Sequence, residues 1–243
     1  SKKGARFYIS LYIEIYIKKE RKKERKKERK KGQPMKTLAI VSQKGGVGKT
    51  TLAFNLAVCA QRSNRRVVLF DIDPQASASA WNNARENAGG ARIEVIKTNL
   101  RQLGDGLDAA RRRNADLAII DTAPCNETIA AAASRLADFV LIPTPPAFLD
   151  LESSADTIGI AANSGTPFSV LFSRAPPNGI NAVTQARELL ESIDCPVLPH
   201  VVHQYAAFCH SSDGSSIFEH EPDSIAAEEI KTLFHALKKV MAA

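Results

Sequence analysis

Seven short apolar runs punctuate the chain: TLAIVSQ over 37–43, VVLFDID over 67–73, ARIEVIK over 91–97, LAIIDTA over 117–123, FVLIPT over 139–144, PFSVLFS over 167–173 and CPVLPHVV over 195–202. Their brevity and their Val, Ile and Leu content predict strands, with ARIEVIK the weakest. Longer stretches predict helices: TTLAFNLAVCAQRS over 50–63, then Thr128–Ala137, Leu149–Ala162, Asn181–Ser192 and an amphipathic segment from Ser224 to Met241. The strand runs are continuously apolar rather than alternating. Strands of that kind are buried on both faces, which predicts a mostly parallel sheet covered by helices on each side. Right-handed crossovers then give a doubly wound α/β fold, and residues 35–243 read as a single domain of this kind. No repeat of solenoid length interrupts the pattern.

Composition fits an ordinary globular chain, with 44% hydrophobic and 24% charged residues in 243. The formal net charge of +7 suggests an anionic partner until its position is considered. Residues 1–34 hold 14 Lys and Arg against 4 Glu, whereas the remaining 209 residues hold 19 basic and 22 acidic groups, a net charge of −3. The basicity therefore belongs to a leader. Lys19 to Lys30 is KERK three times over, a unit that repeated AAAG would encode, and Met35 immediately precedes the first strand. The reading is that Met35 is the natural start and that 1–34 is a low-complexity, disordered leader; a basic arm is the competing reading.

Other signals are bland. Phe7 to Ile13, the longest uncharged apolar stretch of the leader, is far shorter than the roughly 20 residues of a spanning helix. It precedes its positive run, the reverse of a secretory signal. Cys59, Cys125, Cys195 and Cys209 show no metal-binding spacing and read as cytosolic thiols. A cytoplasmic protein is expected.

The chemistry is concentrated at three strand ends. Gln43-Lys44-Gly45-Gly46-Val47-Gly48-Lys49-Thr50-Thr51 lies between a strand and a helix, where glycine amides curl around phosphate oxygens. Lys49 supplies a charge to the β and γ phosphates, and the Thr50 hydroxyl ligates Mg²⁺. Position 43 is Gln where the common loop has Gly, and a second lysine, Lys44, opens the loop. Asp71 and Asp73 end the second strand run in FDIDPQ, and Asp121 ends the fourth in IIDTAP. Carboxylates at the carboxyl edge of such a sheet can hold a metal or orient water, or can simply cap a helix.

The sequence KGGVGKTT resembles the signature of the deviant Walker A ATPases. The resemblance implies an ATPase using ATP and Mg²⁺, with Lys44, Gly45, Gly46, Val47, Gly48, Lys49, Thr50 and Thr51 on the nucleotide. It further implies that Lys44 reaches into the site of a partner in an ATP-bound homodimer, that Asp73 positions the hydrolytic water with Asp71 in support, and that Thr50 and Asp121 serve the metal. Within the group, an iron–sulfur member would need paired loop cysteines, and only Cys125 is suitably placed. A MinD-like membrane-associated spatial regulator would need the apolar stripe Ile230, Leu233, Phe234, Leu237, Val240 and Met241 to lie on a bilayer.

The segments VVLFDIDPQASASAW, VLIPTPPAFLDL, FSRAPPNG and FCHSSDGSSIFEHEPDSIAAEEIKTL resemble the short ParA partition ATPases of plasmids. That resemblance implies slow, partner-stimulated hydrolysis, non-specific DNA binding by the ATP dimer, nucleoid association and a centromere-binding partner protein. Tyr205 departs from the pattern, since relatives often carry Arg there. In a body of net negative charge, DNA contact would need a local patch, for which Lys231, Lys238 and Lys239 are candidates and Arg111–Arg113 weaker ones.

Overall fold

All seven apolar runs become strands in the computed structural model, which describes residues 34–210 and 214–242. The basic segment 1–33, and with it the reading of Met35 as a start, lies outside the described residues. From Met35 onward the chain forms one compact unit. The strands are β1 Lys36–Ile40, β2 Val67–Asp71, β3 Glu94–Lys97, β4 Leu117–Asp121, β5 Phe139–Thr144, β6 Phe168–Ala175 and β7 Val197–His203. They form a single sheet in the order β3-β2-β4-β1-β5-β6-β7, with every pairing parallel.

Alternation along each strand divides the core in two. Leu38 and Ile40 of β1, Val67 and Leu69 of β2, and Leu117 and Ile119 of β4 face one apolar cluster. Their neighbours Ala39, Val68, Phe70, Ala118 and Ile120 face the other. A period of two with both faces buried produces the continuous apolar runs of the sequence.

The first face is covered by α1 Lys49–Arg62, α2 Ser77–Asn87, the short helix α8 Ile217–His220 and α9 Ile225–Val240. The second is covered by α3 Leu100–Arg112, α4 Glu127–Leu136, α5 Phe148–Ser164 and α6 Ile180–Glu191. A further short helix, α7 Ala207–His210, follows β7. In α1 every residue from Leu52 to Ala60 is buried, the mark of a helix enclosed on all sides. The stripe of α9 is also used internally: Ile230 and Leu233 are fully buried, and Leu237 and Met241 nearly so. Only Val240 of the predicted stripe remains substantially exposed.

Helices α2 and α3 do not announce themselves in the sequence. The buried face of α2 is Ala78, Asn82 and Arg85, so the inward positions are mostly polar. Helix α3 has a proper inward stripe of Leu103, Leu107 and Ala110 but is broken in appearance by Gly104 and Gly106. Gly106 answers to packing, because a Cβ there would lie 2.8 Å from the Phe70 ring.

Two features of the sheet place the site. Strand β1 is flanked by β4 and β5, and β2 lies beyond β4. Asp121 is in register with both Ile40 and Asp71, so three strands end side by side at one edge. This carboxyl edge is where open α/β sheets bind ligands.

Candidate functional site

The loop from Ser42 to Gly48 leaves β1 and enters α1 through Gly48, which has φ of 93°. Gly46 also has positive φ, 74°, so the two glycines supply left-handed turns that side chains would oppose. No side chain caps α1, and its first amides face the cradle the loop encloses. The loop is braced on all sides. Gln43 N–H donates to Thr157 Oγ1 at 3.0 Å, and Gln43 O accepts from Cys125 N–H at 2.9 Å and from its thiol at 3.1 Å. Val47 O accepts from the Ser173 hydroxyl at 2.9 Å, and Gly46 O accepts from the Arg174 guanidinium.

Lys49 is buried, and its ammonium donates to Lys44 O at 3.1 Å, across the mouth of the loop. Burial lowers its pKa, while the nearby charges of Asp121 and Asp73 act to raise it. The sheet has thus brought the loop lysine close to both predicted carboxylates.

Asp121 is fully buried, and neither carboxylate oxygen has a well-formed hydrogen bond in the structure. Its pKa is pushed up to about 7, first by burial and then by Asp71 and Asp73, with the Thr50 hydroxyl and Lys49 opposing the rise. A buried carboxylate without a partner, beside a threonine hydroxyl and a lysine, is a site prepared for a cation and its water shell. Among the described residues no cluster of His, Cys, Asp and Glu could hold a metal alone. The donor set instead suits a magnesium ion that takes most of its ligands from phosphate and water.

Asp71 and Asp73 divide their work. Asp71 is fully buried and its Oδ2 accepts from Ser79 N–H and Oγ, each at 2.8 Å, tying the first turn of α2 to the end of β2. Asp73 is half-buried, with Oδ1 accepting from Gln75 N–H at 2.9 Å in a local turn, and its charge acts on both Lys49 and Asp121. The residue preceding α2 is Ala76, with φ of 53° and no side-chain cap. Neither aspartate therefore occupies the N-cap position, although Asp71 caps the helix from the strand end by accepting from Ser79 N–H.

Lys44 is 41% exposed and pairs with Asp150 in the first turn of α5. Phe148 and Leu149, just before it, are 69% and 72% exposed, an apolar step at the rim of the loop. On the opposite side of the loop a cleft of about 230 Å³ opens between Gly46, Thr51, Arg174, Tyr205, Phe208 and Cys209.

Several of these residues were not singled out from sequence as site residues. Asp150, Ser173 and Arg174 stand in segments quoted only for resemblance, and Thr157 carries no motif signal, because their roles depend on β6 and α5 lying beside the loop. The candidate basic patch is dispersed. Lys231 pairs with Glu228 at 3.3 Å, Arg111 with Asp108 at 2.7 Å, Arg113 with Glu94, and Lys238 lies over the Phe234 ring.

A parallel sheet whose first strand enters a glycine loop closed by Lys49 and Thr50, with a buried carboxylate at the adjacent strand end, defines a P-loop nucleotide-binding protein. Comparison with known proteins narrows the class. The CobQ/CobB/MinD/ParA nucleotide binding domain matches residues 38–242, and the chain belongs to this family of MinD/ParA-type P-loop ATPases. The maintenance of carboxysome distribution protein A of Gloeobacter kilaueensis is 35% identical over 187 residues, 76% of this chain and 84% of that one. The chromosome-partitioning ATPase Soj of Thermus thermophilus is 29% identical over 153 residues, 50% of this chain and 59% of its own. Among solved structures, the MinD of Pyrococcus horikoshii complexed with Mg-ADP shares the fold with a TM-score of 0.65 at 18% identity, covering 85% of this chain and 97% of that one.

Proposed function

We propose that this chain is a ParA-type partition ATPase that dimerises on Mg-ATP, binds DNA non-specifically as the dimer and leaves it after hydrolysis. The observation that carries the proposal is the second loop lysine. Lys44 is half-exposed at the rim and held by one ion pair to Asp150, whereas Lys49 already occupies the interior of the loop. A cation that is not needed in its own loop and stands at the surface is suited to complete a neighbouring site. The exposed Phe148 and Leu149 beside it would be covered by the same neighbour.

A magnesium ion held by Thr50 and the phosphates would supply charge neutralisation at the phosphates. The chain's own groups do the rest. Loop amides and Lys49 hold the β and γ phosphates, while Thr50 supplies a metal ligand and Asp121 orders the metal's water shell. Asp73 orients the attacking water, and Lys44 of the second copy offsets charge on the transferring group. Loss of the γ phosphate removes the reason for Lys44 to cross, and it returns to Asp150.

DNA binding is inferred from the resemblance to partition ATPases and from the name of the Thermus relative. A centromere-binding partner is expected to stimulate turnover. The MinD-like alternative is less favoured, because the α9 stripe it would use is packed against the sheet. Co-sedimentation of the full chain with plasmid DNA and with anionic liposomes, each with ATP and with ADP, tests the choice. ATP-dependent recovery with DNA alone is expected, and recovery with liposomes alone would overturn the partition reading.

A further inference from the structure

The cleft beside the phosphate loop has one wall built by the end of β7 and the turn after it, where His203, Gln204, Tyr205 and Phe208 line it. That wall is held from behind by one carboxylate on a distant helix. Glu229 of α9, its side chain 15% exposed, accepts from His203 N–H at 2.9 Å through Oε2. Its Oε1 accepts from the Tyr205 hydroxyl at 3.0 Å and lies 2.6 Å from His203 Nδ1, which assigns the ring proton to that nitrogen. Three bonds from two wall residues thus converge on Glu229. Gln204 N–H, between those residues, donates to Ala175 O at 2.8 Å and fixes the strand end to β6. The two rings stand 5.9 Å apart, and Tyr205 faces Phe208 at 6.5 Å, so a carboxylate behind the wall sets the angle of an aromatic surface in front. Burial, reinforced by Glu229, also keeps the Tyr205 hydroxyl protonated above its ordinary range.

We propose that Glu229 is a positioning residue that aims the Tyr205 and Phe208 surface at the base end of a bound nucleotide, so that nucleotide affinity depends on how α9 is seated. The proposal rests on the reading that the phosphates occupy the loop and the base the adjoining cleft. An aromatic ring held at a fixed angle, as Tyr205 is by Glu229, suits stacking on a purine, whereas the phosphates are gripped by loop groups that Glu229 does not touch. Tyr205, the position where this chain departs from its resemblance, is then accounted for: its hydroxyl is the handle by which α9 holds the wall.

Calorimetric titration of the full chain with Mg-ADP and, separately, with inorganic pyrophosphate and magnesium tests this. Glu229→Ala is expected to weaken Mg-ADP binding about 5- to 30-fold, the effect of losing charge-assisted hydrogen bonds. Pyrophosphate binding should stay within about twofold, because it has no base to place. Glu229→Gln, which keeps an acceptor oxygen and the shape, should recover part of the loss. Tyr205→Phe should weaken Mg-ADP and add little on top of Glu229→Ala, since both remove the Tyr205–Glu229 bond. Equal weakening of both ligands by the Ala and Gln variants would mean general damage and would overturn the proposal, as would unchanged Mg-ADP binding. Phe208→Ala separates the two levels. If it weakens Mg-ADP while the Glu229 variants do not, only the role of Glu229 fails; if it leaves Mg-ADP unchanged, the base lies elsewhere and the underlying reading fails as well.

Discussion

Asp121 places a charge that the proposed mechanism needs in a fully buried position that disfavours it. Burial raises its pKa from 3.8 to about 7, so the folded state holds its proton more tightly than the unfolded state. The cost is absent below about pH 4, where both states are protonated, grows between pH 4 and 7, and is complete above that. Asp121→Asn should therefore stabilise the nucleotide-free protein at pH 8 by about 2 kcal/mol, raising Tm by roughly 4–8 °C, with little gain at pH 4. Thermal melts at both pH values check this; an equal shift at both would mean that the charge is not the source. The same variant is expected to lose magnesium-dependent tightening of nucleotide binding. Stability and function are opposed at this carboxylate, a common arrangement at functional sites.

Lys44 and Lys49 lie five positions apart, the first half-exposed and the second buried, and the proposed mechanism gives them different tasks. Lys49→Ala should abolish both nucleotide binding and hydrolysis. Lys44→Ala should abolish hydrolysis while losing less affinity, measured as turnover against Mg-ATP titration. Full turnover in the Lys44 variant would contradict the trans-lysine mechanism.

At the scale of elements, legibility followed burial. Strands β1, β2, β4 and β5 are buried on both faces, and their apolar runs could hardly be read as anything else. The loop and the two strand-end aspartates were legible because phosphate chemistry demands particular residues in sequence. Helix α2 was not, because its inward face buries Asn82 and Arg85, a pattern that hydrophobic periodicity cannot detect. Arg85 is 2% exposed and paired with Glu219 of α8, whose carboxylate also closes a capping box on Ser216. Arg85→Ala should cost about 1.5–3 kcal/mol in denaturant unfolding, since it removes a buried side chain together with its hydrogen bonds to Ala91 O and to the Glu219 carboxylate. A loss below 1 kcal/mol would show that the pair is dispensable.

Helix α3 gives a sharper contrast. Gly106 has the Phe70 ring where its Cβ would go, whereas Gly104, two residues away, has nothing within 4 Å. Gly106→Ala should destabilise by about 1–3 kcal/mol through overpacking. Gly104→Ala should stabilise by up to about 1 kcal/mol through helix propensity. Opposite signs in urea titrations are expected; the same sign for both would show that the Phe70 contact does not decide the position.

At the scale of the whole molecule, the net charge of +7 comes from residues 1–34, which carry +10, while residues 35–243 carry −3. Of the six basic groups suggested for DNA, Arg111, Arg113 and Lys231 each stand in an ion pair with a carboxylate, so among the described residues they offer little free cationic surface. Two copies joined by ATP would double whatever patch exists and place it twice on one duplex, which fits ATP-dependent rather than constitutive binding. The dissociation constant for plasmid DNA should rise steeply with salt in the presence of ATP, and binding with ADP should be weak throughout. The family places this chain among ATPases of the MinD/ParA type, and the 35% identical relative from Gloeobacter is named for carboxysome distribution rather than for DNA. On the proposed reading, the machinery shared with such relatives is the nucleotide-driven dimer.

That dimer is tested most directly by mixing two inactive variants and measuring ATP turnover. Lys44→Ala retains its own Asp73 but cannot complete a partner's site, and Asp73→Ala lacks its own water-positioning group but still offers Lys44. In a mixed dimer the first variant's site has Asp73 and receives Lys44 from the second. Turnover is expected to reappear on mixing, rising with the proportion of mixed dimers, although each variant alone is inactive. A mixture as inactive as its components would contradict the account.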